Sequence, residues 1–152
     1  MTPDSFNLNF LSLESLRPEI QAFGAGFLVT LMHAGATLVL LFLGAFLYAV
    51  LTPHKEIKQI QEGNSAAAVS FGGVIVGLAV PLAASMAAST SIRDILLWGV
   101  ATVLLLLLVF RLIDLFLAGL PARVNEGEVS AAVLLVAAKL SASLILAAAV
   151  SG

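Results

Sequence analysis

The sequence predicts an all-α integral membrane protein: four transmembrane helices arranged as two parallel-repeat helical hairpins, preceded by a short N-terminal interfacial helix. Three observations carry that prediction. The first is composition. Of the 152 residues, 61% are hydrophobic and only 11% charged, with a mean hydropathy of +1.11; soluble domains average roughly 45–50% and about 25%. One soluble core of this size cannot hide so much apolar surface, whereas a bilayer removes the need to hide it. The second observation is four apolar runs, each long enough to cross a hydrocarbon core about 30 Å thick. The third is an internal repeat at the start of the second helix of each hairpin.

In chain order, residues 1–22 form a polar, amphipathic segment. Phe6, Phe10, Leu13, Leu16 and Ile20 recur near helical spacing with Asp4, Asn7, Glu14 and Arg17 between them, which predicts a short helix lying in the interface. Acid rather than base at the start, and the length of the apolar run that follows, argue against a signal peptide. Pro18 is placed to open a new helix, where its missing N–H costs nothing. The first hairpin then covers 23–88, with spans at 23–51 and 65–88; Thr52-Pro53 ends the first span. After a polar link from Ser89 to Asp94, the second hairpin covers 95–150, with spans at 95–120 and 129–150, and Pro121 stops its first helix. Trp98 and Tyr48 are placed as interfacial anchors. The longer turns hold Lys55, Lys58 and Arg123 against Arg17 and Arg93 on the other side. The positive-inside rule puts those turns in the cytoplasm and both termini outside.

The repeat aligns Glu62-Gly63-Asn64-Ser65-Ala66-Ala67-Ala68-Val69 with Glu126-Gly127-Glu128-Val129-Ser130-Ala131-Ala132-Val133. Phe42 and Phe110 sit equally far before Pro53 and Pro121, and both copies become rich in Ala and Ser downstream. A duplicated unit of two spans returns the chain to the same side, so the repeats are parallel and both Glu-Gly turns share one face of the membrane.

The run Leu51-Thr52-Pro53, Glu56-Ile57, Ile60, Glu62-Gly63-Asn64-Ser65-Ala66-Ala67-Ala68, Phe71-Gly72-Gly73, Gly77 and Pro81-Leu82-Ala83 resembles the YjfL-like family of small bacterial inner-membrane proteins. The copy from Gly127 to Ala149 resembles that family's second half, departing from it at Glu128, where the family pattern has Asn, and by adding Lys139. The resemblance runs from about Val29 to the C-terminus. It implies a bacterial inner-membrane location and this topology, and brings no activity with it.

Within the spans, Gly73 and Gly77 form a small-xxx-small pair, and Val69, Gly73, Gly77, Pro81 and Ser85 share one stripe suited to close helix approach. Pro81 removes a backbone hydrogen bond and leaves the Gly77 carbonyl to find another donor. Lys139 lies mid-span, where a lysine costs about 2.5–3.5 kcal/mol against about 0.3–0.6 returned by each of some ten Leu, Ile and Val residues. Insertion is feasible, but the ammonium needs a partner. Arg111 and Asp114 lie three apart on one helical face, and Lys139 can reach back towards their shared turn. A Lys139–Asp114 contact is expected, with Arg111 reaching the interface or Glu128. His33 stands as a polar group inside the first span, bonded to nearby backbone or serving as a relay. Lys55, Glu56, Lys58 and Glu62 read as a solvated turn helix or a docking face.

Several classes drop out. A net charge of −2 leaves no basic surplus for nucleic acid. Without cysteine there are no disulfides or thiolate ligands, and two histidines, His33 and His54, are too isolated for a metal site. No catalytic constellation and no cofactor is expected, the carboxylates lying in exposed turns. Two classes stay open. One is a non-enzymatic scaffold or accessory subunit in the lipid bilayer that self-associates as a homo-oligomer or binds other membrane-protein subunits. The other is an oligomeric ion, proton or small-solute channel or transporter subunit with a polar seam near Lys139, Asp114 and Arg111. A hydrated Lys139 favours the second, a sealed one the first.

Overall fold

A computed structural model describes residues 13–52 and 56–152, with side chains described from Pro18 onward. Among them the regular structure is helical throughout: α1 (Leu13–Leu51), α2 (Glu56–Gln61), α3 (Ser65–Ala88), α4 (Ile92–Phe116), α5 (Leu120–Asn125) and α6 (Val129–Ser151). Four of these, α1, α3, α4 and α6, are long and apolar enough to cross a membrane. The chain is therefore an all-α integral membrane protein. At about 1.5 Å per residue, α3, α4 and α6 are about 35–38 Å long, matched to a bilayer, whereas α1 is about 58 Å.

The start of α1 differs from the expected interfacial helix. Residues 1–12 of that segment lie outside the described residues, and 13–22 are the opening turns of α1 itself. Pro18 is inside this helix rather than at its head. It removes one bond, to the carbonyl of Glu14. Stopping and restarting the helix would instead carry a second nucleation cost.

A second difference lies at the turn after α4. The helix ends at Phe116, short of Leu120, because the chain turns at Gly119, whose φ of +101° suits a residue without a side chain. Pro121 stops nothing; it sits in the first turn of α5, where no N–H is needed. At the other end α4 starts at Ile92, capped by Ser91, whose Oγ accepts from the Asp94 N–H. Arg93 and Asp94 thus belong to its first turn and not to the link.

The two Glu-Gly turns are built alike. Gly63 and Gly127 take φ of +90° and +88°, and their N–H groups bond to Ile60 O and Val124 O, both at 3.0 Å. The next N–H groups, of Asn64 and Glu128, reach back to Gln59 O and Arg123 O at 2.9 and 3.0 Å. These bonds close α2 and α5 and launch α3 and α6. The turns also touch. The Asn64 side-chain amide donates to Val124 O and Asn125 O at 3.0 and 3.2 Å, and that of Gln59 to Asn125 Oδ1 at 2.9 Å. Both turns therefore lie on one face, as a parallel repeat requires.

The bundle is organised around α3. Half of its apolar window is buried, 50% against 22–33% for the other three spans, and its largest interface is with α6. Gly73 and Gly77 permit that approach. A Cβ on Gly73 would lie 2.3 Å from Val136 Cγ2, and one on Gly77 would lie 2.9 Å from Phe110 Cζ and 3.0 Å from Ser143 Oγ. Around α3, apolar clusters gather Val74, Leu78, Leu106 and Phe110 towards the turn end, and Leu40, Leu82, Ile95 and Val103 towards the other.

Candidate functional site

A buried polar cluster sits one to two helical turns inside the bundle at the end that carries the Glu-Gly turns. Its centre is Lys139 of α6, which is 0% exposed. The side chain reaches back towards the turns, and its ammonium donates to Tyr48 Oη at 2.8 Å. Asp114 Oδ1 is also 2.8 Å away, an ion pair whose angles are not those of an aligned hydrogen bond. The rings of Tyr48 and Phe110 complete the wall, with centroids 4.9 and 5.8 Å from Nζ. Tyr48 lies one turn before the end of α1, and Asp114 close to the end of α4. Both therefore hang at the depth a folded-back lysine can reach. Ser143 Oγ donates to Lys139 O at 2.8 Å, keeping its hydroxyl satisfied in the dry seam.

Glu56 also belongs here, and the reading of it as part of a solvated turn helix is incorrect. It opens α2 yet is only 6% exposed. Oε1 accepts from Ser70 Oγ of α3 at 3.2 Å, whereas Oε2 is buried with no hydrogen-bond partner among the described residues. The Tyr48 hydroxyl is within reach of both Glu56 and Thr52. Burial pushes the Glu56 carboxyl above the usual carboxylate range; the Lys139 charge and the Ser70 and Tyr48 hydroxyls oppose this, and the Asp114 charge adds to it. A helix of six residues is too short to display an amphipathic period, so no sequence pattern marked Glu56 as buried. Its neighbours do behave as a solvated pair: Lys58 and Glu62 stand 3.6 Å apart, both well exposed. Lys55 and His54 lie outside the described residues. Tyr48 is likewise no interfacial anchor; at 4% exposure it is part of the core.

Two spaces adjoin the cluster. A cavity of about 10 Å³ has Glu56, Asp114, Tyr48, Thr52, Ser70 and Asn125 among its walls. Outside it, a groove of about 320 Å³ between α1 and α4 is lined by Leu51, Leu104, Leu107 and Leu108, with Arg111 beside Tyr48 and Asp114.

The remaining residues singled out by sequence fall elsewhere. Arg111 is exposed and makes no ion pair among the described residues; it reaches neither Asp114 nor Glu128. Glu128 is taken by Arg123, which holds its carboxyl below the usual range, with help from Ser130. His33 is half-buried in α1, far along the chain from the cluster, and its carbonyl accepts from Thr37 Oγ1 at 2.9 Å. Gly73, Gly77 and Pro81 line the buried face of α3. Glu62, Gly63, Asn64, Glu126 and Gly127 border a shallow polar surface between the two turns, whose other members include Gln59 and Asn125. Trp98 is exposed near the start of α4. Among the described residues no three His, Asp or Glu side chains are grouped to hold a metal ion.

Comparison with known proteins covers nearly the same stretch as the fold. A family profile described as Domain of Unknown Function (DUF350) matches residues 22–150. The UPF0719 inner membrane protein YjfL of Escherichia coli strain K12 is 31% identical over 127 residues, which span 84% of this chain and 91% of that protein. Its counterpart in Escherichia coli O157:H7 matches to the same extent. No solved structure gives a significant match.

Proposed function

The chain belongs to the DUF350 family, and from that premise we propose that it works as a non-enzymatic, non-conducting subunit of a bacterial inner-membrane assembly. The observation that carries this reading is the sealing of Lys139. Its ammonium faces Asp114, Tyr48 and Phe110 at zero exposure, in the middle of one bundle and not on an outer face. A conducting oligomer needs its polar seam on the faces where copies meet; of the three charges, only Arg111 is on such a face. The cluster ties α1, α4 and α6 together, and α3 supplies the close packing. The protein's work on this reading is to hold and present helices.

The inner-membrane location follows the relatives' description. With Lys58 and Arg123 at the Glu-Gly turns, the turn face is cytoplasmic and the other face extracytoplasmic. Purified protein in liposomes should carry no proton, cation or anion flux above empty vesicles, and extraction in mild detergent should give a complex heavier than the 15.7 kDa chain. Flux abolished by Lys139→Met would overturn the non-conducting reading, and a particle of one chain would overturn the assembly.

A further inference from the structure

We propose that the turn end of the bundle core is a proton-binding site, in which Glu56 holds one proton beside a single water while Lys139 and Asp114 remain an ion pair. The site stands on the geometry of the cluster and is independent of whether the chain works in a larger assembly.

Charge makes the first argument. Among the described residues, two carboxylates, Glu56 and Asp114, share the buried space with one ammonium, Lys139. One unit of negative charge is left over where water is scarce, and a buried group in that position neutralises instead of remaining ionised. The groups facing Glu56 can be named element by element. α1 brings Tyr48 and, just past its end, Thr52; α3 brings Ser70; α4 brings Asp114; α5 adjoins through Asn125; α6 brings Lys139. Lys139 is the one cation among these described groups, and Asp114 already lies 2.8 Å from it.

Geometry then says which carboxylate takes the proton. Asp114 Oδ1 is already in contact with the ammonium, 2.8 Å from Nζ. Glu56 has the Ser70 hydroxyl on Oε1 and the Tyr48 hydroxyl within reach, and its Oε2 is buried without an aligned hydrogen bond among the described residues. A proton on Oε2 turns that unmatched acceptor into a donor. The adjoining cavity of about 10 Å³ is close to the size of one water probe, and its walls offer the two to four polar partners that a buried water needs. A water there accepts from Glu56 and donates towards Asp114.

Burial raises the Glu56 carboxyl above its ordinary range, which fixes the sign of the linkage. The folded state binds the proton more tightly than the unfolded chain. The stability due to this group is present in full at low pH and is lost as pH climbs from the ordinary glutamate value to the folded one.

The test is infrared spectroscopy of the full chain in lipid nanodiscs, titrated in H2O and D2O. The proposal expects a protonated-carboxyl stretch, shifted by deuterium, at a pH above the ordinary carboxylate range. That band should disappear on further alkalinisation and be missing in Glu56→Gln. Ser70→Ala, a milder change that removes a donor favouring the anion, should carry the band to higher pH. No such band in the wild type would overturn the proposal, as would a band unchanged in Glu56→Gln or a titration unmoved by Ser70→Ala.

Discussion

The two hairpins begin their second helices from nearly the same turn, yet those helices bury different faces. In the register set by the turns, Gly73 and Gly77 of α3 correspond to Ala137 and Ser141 of α6, and Lys139 corresponds to Ile75. Gly73 and Gly77 are buried, whereas Ala137 and Ser141 are exposed; Lys139 is buried, whereas Ile75 is on the outside. The difference follows from position. α3 packs against α1, α4 and α6 and needs a wide buried face, while α6 packs mainly on α3 and needs one stripe. A duplicated turn thus fixes where a helix starts without fixing what it faces. Relieved of packing on one side, the second copy turns its lysine inward to the end of α1 and α4. The first copy meets it there with the hydroxyl of Ser70 and the carboxyl of Glu56.

The largest effect that can break this contrast lies in the second copy. Lys139→Met leaves Asp114 without its cation, and removing one partner of a buried pair costs about 3–5 kcal/mol. Unfolding in mixed micelles should read that loss, and the double variant Lys139→Met with Asp114→Leu should recover most of it. No recovery would mean that the pair is not the unit that matters.

Next comes the first copy's small face. Gly73→Ala drives a methyl into Val136, a β-branched side chain with little freedom to move, and should cost about 1–3 kcal/mol. Adding Val136→Ala should relieve part of the loss, a coupling that a double-mutant cycle reads. The adjacent Gly72 has open space around its Cβ position. Gly72→Ala should be neutral or stabilise by up to about 1 kcal/mol.

The turns give the smallest contrast. Asn64 caps α3 by accepting from the Ala67 N–H at 3.0 Å and also binds the opposite turn; Asn64→Ala should cost about 1–2 kcal/mol. Glu128 makes no side-chain cap bond to α6, and its ion pair with Arg123 is exposed. Glu128→Ala should therefore cost less than Asn64→Ala on the same unfolding assay.

Much of this architecture was legible in the sequence. Apolar runs of bilayer length mark the spans, because lipid leaves backbone polar groups no partner outside a helix. The repeat was legible because Gly63 and Gly127 meet a positive-φ demand that few other residues satisfy. The end of α4 was misjudged at Pro121, since proline both stops helices and opens them, and only the turn at Gly119 decides which. The site was half legible. Lys139 and Asp114 stand out because charges in apolar runs are expensive, but Glu56 and Tyr48 do not. A glutamate in a charged turn and a tyrosine at a span end each have an ordinary exposed reading, and only the fold of α2 against α3 puts them inside.

The most direct test of the central claim is amine labelling in intact membranes. The chain has three lysines, Lys55, Lys58 and Lys139. Of these, Lys58 is well exposed and Lys139 is sealed against Asp114, Tyr48 and Phe110. A small water-soluble acylating reagent, read by peptide mass mapping, should modify Lys58 and leave Lys139 untouched until the protein is unfolded. Modification of Lys139 in the folded protein at a rate near that of Lys58 would mean that bulk solvent reaches the lysine, and would contradict the account of a sealed ion pair.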